Sequence, residues 1–371
     1  MKIALVHDYL NEFGGAERVL LTLSEMYPKA PIYTIYKKNN SSAGKAFKDK
    51  KVVESWFGEL PIPDKLISPL RFLIPLIWKS FDFSKYDLVI TSAAWAVTKG
   101  MPGAKKEVCY LHTPPRYLWG YDTSRNWQNK WFSGLIKIYA IFVNHFMRNY
   151  DFTQAQKVDF FIANSKNVGK RIEKFYRRKD HKVVYPPINI PKNTNYLSAQ
   201  SDELLATNYY LTGGRLVASK NFDLIIKASK KANAKLKIFG TGVEENNLKK
   251  IAKNNIEFLG RVSDKELASL YVNAKAFIVA QKDEDFGMTP VEAASYGTPT
   301  IAYRAEGYLE SVVDGKTGIF FDELTPESLS SAIKRIEDKK WNKTTIKNHA
   351  KKFSRERFER EIRQIVAKTV K

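Results

Sequence analysis

The amino-acid sequence predicts an α/β protein of two doubly wound domains, each built on a parallel sheet. Short continuous apolar runs alternate with segments of helical periodicity, which is typical of buried parallel strands joined by crossover helices. The alternation stops once, at Pro186, Pro187 and the polar stretch up to Asn208, and then restarts. A length of 371 residues suits two such domains.

The same alternation predicts the individual strands and helices before and after the stretch 186–208. Predicted strands in the first half are 2–6, 88–91, 108–111, 160–163 and 183–185. Those in the second half are 209–212, 236–239, 256–259, 276–280 and 300–303, with helices at 222–231, 244–254, 264–274 and 289–296. We expect ligand between the two domains, at the carboxyl ends of the strands.

Composition and charge exclude several classes of protein. The chain has 61 Lys and Arg against 39 Asp and Glu, a net charge of +22. This excess favours a polyanionic partner, namely nucleic acid, an anionic membrane face or phosphorylated substrates, unless it only reflects a Lys-rich composition. The single cysteine, Cys109, excludes an internal disulfide, and its apolar neighbours predict a buried strand residue.

The apolar stretches are too short for a transmembrane protein. None approaches the ~18–20 residues that cross a bilayer. The first ten residues do not resemble a signal peptide, because His7 and Asp8 follow only four apolar residues. We expect a cytoplasmic protein that lies at most on the surface of a membrane.

The most informative motif is E-D-F-G-M-T-P-V-E at 284–292, followed by G-T-P at 297–299. Thr289 is predicted to cap a helix that begins at Pro290, which puts Glu292 in its first turn. The backbone N–H groups at such a helix N-terminus suit a phosphate.

Two readings of the acids in this motif remain open. Glu284 in the loop suits the hydroxyls of a sugar, and Glu292 on the helix suits a ribose diol. Alternatively, Glu292 only complements the helix dipole and the loop acids are solvated.

Three other motifs follow predicted strands. Arg215 and Lys220 follow 209–212 and suit a diphosphate, Arg as a planar fork and Lys as a point charge. The pair Gly14-Gly15 follows His7 and permits close approach of a ligand, or simply makes a tight turn. It is not a G-x-G-x-x-G, so no dinucleotide cofactor is indicated. His112 follows 108–111 directly and is placed at the edge where ligands bind, although a lone histidine is more often structural.

Together these motifs resemble the signature of retaining glycosyltransferases of family 4. The resemblance rests on the spacing Glu284-x7-Glu292 and on G-R-L-x-x-x-K at 214–220, and it is clearest over 209–325. That family has the GT-B fold, in which two doubly wound Rossmann-like domains face each other across a cleft. The resemblance implies an acceptor-binding domain at 1–190 and a nucleotide-sugar-binding domain at 191–352. It also implies that a C-terminal helix at 353–371 crosses back to the first domain.

The resemblance also implies roles for individual residues. Glu284 holds hydroxyls of the donor sugar, Arg215 and Lys220 stabilise the departing diphosphate, and His112 orients the sugar near the reaction centre. The implied donor-binding residues are Gly14, Gly15, Val262, Phe286, Gly287, Met288, Thr289 and Glu292. No cofactor and no divalent metal are expected, although 283–285 formally reads D-x-D.

Two longer strings point to a narrower group. H-D-Y-L-x-x-x-G-G-A-E-R-V-L at 7–20 and H-T-P-P-R-Y-L-W at 112–119 resemble WbaZ-type mannosyltransferases of bacterial surface polysaccharide synthesis. This implies transfer of a hexose, with mannose from GDP-mannose favoured, to a lipid-linked or growing glycan acceptor. One departure is Glu306-Gly307, where the family often has two glycines.

Basic and aromatic residues are interleaved over residues 116–182, which hold 14 Lys and Arg against 5 Asp and Glu. This stretch includes Trp127, Trp131, Phe142 and Phe146, and 57–81 is similarly apolar. The pattern favours an interfacial surface on the inner face of the cell membrane, unless the helices simply pack with a solvated basic face. Nucleic acid is not expected as a partner, because no recognition motif supports it.

Two other functions are compatible with the same motifs. A GT-B-fold nucleotide-sugar epimerase or hydrolase would need the same donor site, but no acceptor. A non-catalytic membrane- or nucleic-acid-binding protein on a degenerate GT-B fold would explain the charge. The intact set of Arg215, Lys220, Glu284 and Glu292 counts against degeneracy.

Overall fold

The computed structural model describes residues 1–121, 133–191 and 208–370. The described chain forms two units: one runs to Pro187 and resumes at Arg355, and the other spans Ile188–Ser354. Trp127, Trp131 and the part of the proposed linker at 192–207 lie outside the described residues.

The first unit is built on a sheet of seven parallel strands in the order β3-β2-β1-β4-β5-β6-β7. The strands are β1 (Ile3–His7), β2 (Ile32–Thr34), β3 (Val52–Glu54), β4 (Leu88–Ala93), β5 (Glu107–Leu111), β6 (Phe160–Ala163) and β7 (His181–Val183). The sequence did not predict β2 and β3, because runs of three residues are too short to show a periodicity. Cys109 is a buried residue of β5, as expected.

Helices cover this sheet, as a parallel sheet with crossover connections requires. They are α1 (Gly15–Met26), α2 (Ser42–Ala46), α3 (Pro63–Leu66), α4 (Ile74–Lys79), α5 (Arg116–Trp119), α6 (Ser133–Ala155) and α7 (Lys166–Tyr176). Short 3-10 turns occur at Trp56–Glu59 and Arg71–Leu73. No helix among the described residues is long and apolar enough to cross a membrane.

The second unit has six parallel strands in the order β10-β9-β8-β11-β12-β13. They are β8 (Tyr210–Gly213), β9 (Leu236–Phe239), β10 (Ile256–Gly260), β11 (Ala276–Val279), β12 (Thr300–Tyr303) and β13 (Gly318–Phe321). Its helices are α8 (Phe222–Lys231), α9 (Glu245–Ile251), α10 (Asp264–Asn273), α11 (Met288–Ser295), α12 (Tyr308–Ser311), α13 (Pro326–Glu337) and α14 (Lys343–Lys351). The predicted class, two doubly wound Rossmann-like α/β units, is confirmed.

The last helix, α15 (Arg355–Val370), packs against the first unit. Phe358, Ile362, Ile365 and Val366 are buried in the same apolar core as residues of β1 and α1. The ring of Phe358 lies edge-on to Tyr110 of β5, with centroids 5.7 Å apart. The core of the first unit therefore contains residues from both ends of the chain.

A buried ion pair ties the loop after β4 to α6. Lys99 Nζ lies 2.5 Å from Asp151 Oδ1, and both side chains are fully buried. The other carboxylate oxygen accepts a hydrogen bond from Trp119 Nε1 at 2.9 Å. The Lys99 ammonium also lies 5.0 Å from the centre of the Tyr176 ring. Both charges are thus compensated, which burial requires.

We predict that Lys99→Met destabilises the protein by about 3–5 kcal/mol, because it leaves the Asp151 carboxylate buried without its partner. Lys99→Met/Asp151→Leu removes both charges and is expected to cost less than the single change. Lys106→Met is the matched control, because its pair with Asp159 is largely exposed and is worth about 1 kcal/mol or less. Urea unfolding of the three variants measures this, and equal losses for the single and double variants would contradict it.

Candidate functional site

Strand order determines where each sheet can hold a ligand. In the second unit the order changes direction between β8 and β11, so the loops that follow these strands diverge. A crevice opens at the carboxyl edge at such a switch point. The diverging loops are 214–221 and 280–287, which contain Arg215, Lys220 and Glu284.

The structure brings two of the predicted catalytic residues together at this point. Lys220 Nζ lies 3.6 Å from Glu284 Oε2, and both side chains are partly exposed. The hydroxyl of Tyr308 donates to the same carboxylate oxygen at 3.4 Å. The N–H of Asp285 donates to the other oxygen at 3.2 Å. A cation and an oriented carboxylate thus stand side by side, within reach of one small polar ligand.

Close backbone contacts hold these loops in place. A Cβ on Gly240 would lie 1.9 Å from the carbonyl oxygen of Gly214, so only glycine permits this approach. A Cβ on Gly307 would lie 2.4 Å from the backbone nitrogen of Phe286, and Gly307 N–H donates to the Glu284 carbonyl at 3.0 Å. The loops that carry Lys220 and Glu284 are therefore packed against neighbouring main chain.

The departure from the family pattern at Glu306 falls on an unusual backbone conformation. Glu306 has a φ of +50°, in the left-handed region that glycine adopts readily. A side chain there costs about 1 kcal/mol. The chain thus places a carboxylate on a left-handed backbone position, next to Gly307, which contacts the loop of Glu284.

The helix after Glu284 begins earlier than the sequence predicted. Gly287 is its N-cap, with a φ of +86°, and Met288 is its first residue. The prediction of Thr289 as N-cap was wrong, because the left-handed turn at Gly287 starts the helix two residues sooner. Glu292 is consequently the fifth residue of α11 and lies beyond the first turn.

The remaining predicted residues of this unit differ in exposure. The Phe286 ring is buried against Phe353, with centroids 5.2 Å apart, so this side chain does not face a ligand. Arg215 is exposed. Partly buried positions are Val262, Met288, Thr289 and Glu292.

In the first unit, Gly14 and Gly15 begin α1. Gly14 is the N-cap and Gly15 is the first helical residue. The N–H of Gly14 donates to Glu17 Oε2 at 2.8 Å, so a carboxylate already occupies this donor. Any ligand at this turn would meet the Glu17 side chain as well as the glycine backbone.

His112 lies at the carboxyl end of β5 and is linked to a second histidine. His112 Nε2 is 2.8 Å from Ser92 Oγ, on neighbouring β4. His7 Nδ1, at the end of β1, is 3.0 Å from the Ser92 carbonyl oxygen and 3.2 Å from Ser92 Oγ. His7 Nε2 is 3.5 Å from Glu17 Oε1. We call this buried sequence of contacts, Glu17–His7–Ser92–His112, the histidine chain.

The geometry favours one distribution of protons along the histidine chain. The Ser92 carbonyl only accepts, so His7 Nδ1 donates to it. Ser92 Oγ can accept from the same N–H and then donate its own hydrogen to His112 Nε2. The neutral His112 ring would then carry its proton on Nδ1.

The two histidines have opposite pKa shifts. Burial lowers the pKa of His112 to about 3, with a smaller contribution from nearby His7. Burial acts in the same direction on His7, but Glu17, Asp8 and the Ser92 carbonyl together outweigh it and raise the pKa of His7 above its ordinary value. His112 is thus held neutral, whereas His7 beside Glu17 is more readily charged.

Asp8, next to His7, anchors the switch point of the first sheet, which lies between β1 and β4. Its carboxylate accepts hydrogen bonds from the N–H groups of Ala94 and Trp95 at 3.1 and 2.5 Å, and from the Thr98 hydroxyl. The loop after β4 is therefore fixed to the end of β1, beside the histidine chain.

Sequence reasoning did not assign Ser92, His7 or Glu17 to the site. His7 and Glu17 were visible in the motif at 7–20, whereas Ser92 carried no signal within its apolar run. Adjacency of β1, β4 and β5 in the sheet is what joins them. Among the described residues, no group of three or more His, Cys, Asp or Glu side chains is arranged to hold a metal ion.

The family match found by comparison with known proteins falls almost entirely in the second unit. Residues 197–356 match the family model "Glycosyl transferases group 1". An uncharacterized glycosyltransferase of Methanocaldococcus jannaschii is 32% identical over 152 residues, 40% of this chain and 43% of that protein. The alpha-1,3/1,6-mannosyltransferase ALG2 of Mus musculus is 25% identical over 323 residues, 77% of this chain and 74% of that protein.

Solved structures extend the likeness in fold to both units. HepE of Anabaena, crystallised with UDP-glucose, superimposes with a TM-score of 0.73 at 19% identity, covering 99% of this chain and 100% of that one. Identity at this level shows the fold alone, which is GT-B. Over residues 197–356 the chain is thus similar to glycosyl transferases group 1, which supports transferase activity.

Proposed function

We propose that this protein is a retaining hexosyltransferase that uses a nucleoside diphosphate sugar as donor. The observation that carries the proposal is the contact between Lys220 and Glu284 at the switch point of the second sheet, with Nζ and Oε2 3.6 Å apart. The cation suits a departing diphosphate, and the carboxylate suits the hydroxyls of a sugar. One nucleotide-sugar presents both groups within a few ångströms.

Each predicted residue has a role in this reaction. Lys220 and Arg215 stabilise the negative charge that develops on the leaving diphosphate, which is the charge on which preorganised cations act most strongly. Glu284 orients the sugar, and Glu292 holds the ribose. Backbone N–H groups at 287–289, at the start of α11, contact phosphate, and Val262 lies beside the base. Gly14 and Gly15 allow close approach of the donor.

The proposed chemistry is substitution with retention at the anomeric carbon. The bond from this carbon to the phosphate oxygen breaks, and a bond to the acceptor hydroxyl oxygen forms on the same face. The acceptor proton passes to the departing phosphate. Because His112 is neutral, it acts on the sugar as a hydrogen-bond donor and not as a charge.

The sugar proposed is mannose from GDP-mannose, and the proposed acceptor is a lipid-linked or growing glycan of a cell-surface polysaccharide. The resemblance of 7–20 and 112–119 to WbaZ-type enzymes supports this, as does the likeness to a mannosyltransferase of Mus musculus. HepE, which was crystallised with UDP-glucose, supports a different base and sugar. We propose that cations and backbone N–H groups replace a divalent metal, and that the protein acts at the inner face of the membrane.

Donor binding is the first test of this function. We predict that GDP and GDP-mannose raise the melting temperature selectively in a panel that includes UDP, ADP and their hexose conjugates, with no effect of EDTA. At a hundredfold excess over Kd, binding to the native state adds about 2.7 kcal/mol. For units of this size that is a shift of roughly 5–10 °C. A selective UDP-sugar shift would keep the reaction and overturn mannose, and a flat panel would overturn the donor site.

The product distinguishes the enzyme alternatives. Transfer gives a glycosylated acceptor and free nucleoside diphosphate in equal amounts. Nucleotide release that does not depend on any acceptor would favour a hydrolase, and an altered sugar still attached to nucleotide would favour an epimerase. A folded protein that binds anionic surfaces but no nucleotide would favour the non-catalytic alternative.

The state of His112 predicts a pH dependence of stability. Its pKa of about 3 when folded lies below the ordinary value of 6.5, so the unfolded chain binds more protons below pH 6.5. The contribution of His112 to stability is therefore lost as pH falls through this window, by about 1.4 kcal/mol at pH 5.5. His7, whose pKa is raised, acts in the opposite direction in wild type and in the variant. We predict that His112→Gln loses less stability than wild type between pH 7.5 and 5.5 in urea unfolding.

His145→Gln is the matched control, because His145 is exposed on α6. It should keep the wild-type pH dependence of unfolding. The same acid sensitivity in His112→Gln and wild type would contradict a buried, neutral His112.

A further inference from the structure

Exposed apolar side chains are concentrated on one part of the first unit. Among the described residues, thirteen large hydrophobic side chains are exposed, and seven of them lie on α6 and on the stretch from 62 to 79. We call these seven the apolar surface: Ile62, Phe72, Leu76, Ile138, Ile141, Phe142 and Phe146. Large exposed apolar clusters mark contact sites, whereas scattered ones need no explanation.

On α6 the exposed residues follow helical spacing. Ile138, Ile141, Phe142 and Phe146 recur at intervals of three, four and eight residues, and Phe142 is 72% exposed. The opposite side of the helix carries Met147, which is buried in the core of the unit. The helix is therefore apolar on both sides, although only one side is covered by described residues.

The stretch from 62 to 79 shows a second row with the same character. Exposed positions recur every three or four residues: Ile62, Lys65, Pro69, Phe72, Leu76 and Lys79. Between them, Ile67, Ile74, Ile77 and Trp78 are buried. The exposed side chains of this row are thus apolar except for two lysines, Lys65 and Lys79.

A seam of polar contacts joins the two rows. The Nε of Arg71 donates to Asn144 Oδ1 on α6 at 2.9 Å, and its guanidinium lies 5.0 Å from the centre of the Tyr139 ring. The Tyr139 hydroxyl donates to the carbonyl oxygen of Pro69. These residues lie next to Phe72 and Ile138, so the two apolar rows flank one seam.

Within the two stretches that carry the apolar surface, the exposed charges have one sign. Exposed ionisable residues in 62–80 and 137–150 are Lys65, Lys79, Lys137 and Arg148, together with His145. No Asp or Glu is exposed in these two stretches. Asp64 is partly buried and pairs with Lys38 at 2.7 Å, and Asp151 is buried against Lys99.

We propose that the apolar surface docks on an anionic phospholipid bilayer, with Leu76, Ile141, Phe142 and Phe146 in the interface and the lysines at the phosphate level. Apolar side chains ringed by cations suit a lipid interface, where burial and attraction to anionic headgroups act together. The absence of exposed acids in these stretches favours lipid over a protein partner with mixed charge. This proposal rests on the proposed function, because it names where a lipid-borne acceptor would be met.

Co-sedimentation of the full chain with vesicles tests the proposal. We predict binding to phosphatidylcholine vesicles containing phosphatidylglycerol, and weaker binding to phosphatidylcholine alone. Leu76→Glu/Phe142→Glu should lower the partition coefficient about tenfold or more, because two buried apolar groups are lost. Lys65→Gln, Lys79→Gln and Lys137→Gln should each lower it roughly fivefold, on anionic vesicles only.

Val243→Glu/Val370→Glu is the matched control, since it places the same two charges on exposed apolar residues outside the apolar surface. It should bind as wild type does, and all variants should keep the wild-type melting temperature because the changed residues are exposed. No vesicle binding by wild type, or equal binding by Leu76→Glu/Phe142→Glu, would overturn the proposal. A wild-type dimer in sedimentation velocity that Leu76→Glu/Phe142→Glu dissociates would also overturn the proposal. It would assign the apolar surface to a second copy of the chain.

The donor panel is measured without vesicles, so the two proposals fail separately. A normal nucleotide shift with no vesicle binding would overturn only the membrane surface. Vesicle binding with a flat nucleotide panel would overturn only the donor site.

Discussion

Parallel strand pairing positions both groups of candidate residues, namely the loops of Lys220 and Glu284 and the histidine chain. All carboxyl ends of a parallel sheet lie at one edge, and loops diverge there only where strand order reverses. In the second unit this brings the loops of Lys220 and Glu284 together, and in the first it aligns His7, Ser92 and His112 on neighbouring strands. Residues far apart in the chain thus meet because their strands are adjacent.

Close packing of main chain holds the loops of the proposed donor site. Gly240 lies against Gly214, and Gly307 lies against Phe286, at distances that exclude a side chain. Loops fixed in this way hold Lys220 and Glu284 in place before substrate arrives. Preorganised charge stabilises a leaving group without the cost of reorganisation during reaction. In the first unit the contact with Ser92 holds His112, and the Asp8 contacts hold the loop after β4.

Much of the fold could be predicted because long apolar runs and helical periods are local signals. The helix at Phe222–Lys231 and the strands at Phe160–Ala163 and Leu236–Phe239 begin and end where periodicity indicated. The short strands β2 and β3 were not predicted, because three residues are too few to show a period. The start of α11 was misplaced because a left-handed glycine and an N-cap threonine give competing signals, and Gly287 determines the geometry.

In the candidate site, only residues that belong to a sequence motif could be predicted. Lys220 and Glu284 stand 64 residues apart in sequence, and a shared family pattern, not periodicity, associated them. Ser92 had no such pattern, so only sheet adjacency reveals its link to His112. The composition of the sequence showed that the stretches of the apolar surface are rich in apolar residues. Which of those residues are exposed on α6 and on 62–79 could be seen only in the structure.

In the proposed function Lys220 binds the diphosphate and Glu284 binds the sugar of one donor. Titration calorimetry with the nucleoside diphosphate and with its hexose conjugate separates these roles. We expect Lys220→Met to weaken both ligands at least tenfold, about the worth of a lost charge-assisted hydrogen bond. Glu284→Gln should weaken only the conjugate, because removing a carboxylate 3.6 Å from Lys220 leaves that cation available to phosphate.

Asp223→Asn is the control for this titration, since Asp223 is a half-exposed acid on α8 that pairs with Lys227. It should bind both ligands as wild type does. If Glu284→Gln weakened the bare nucleoside diphosphate as much as Lys220→Met does, the division of roles between the two residues would be wrong.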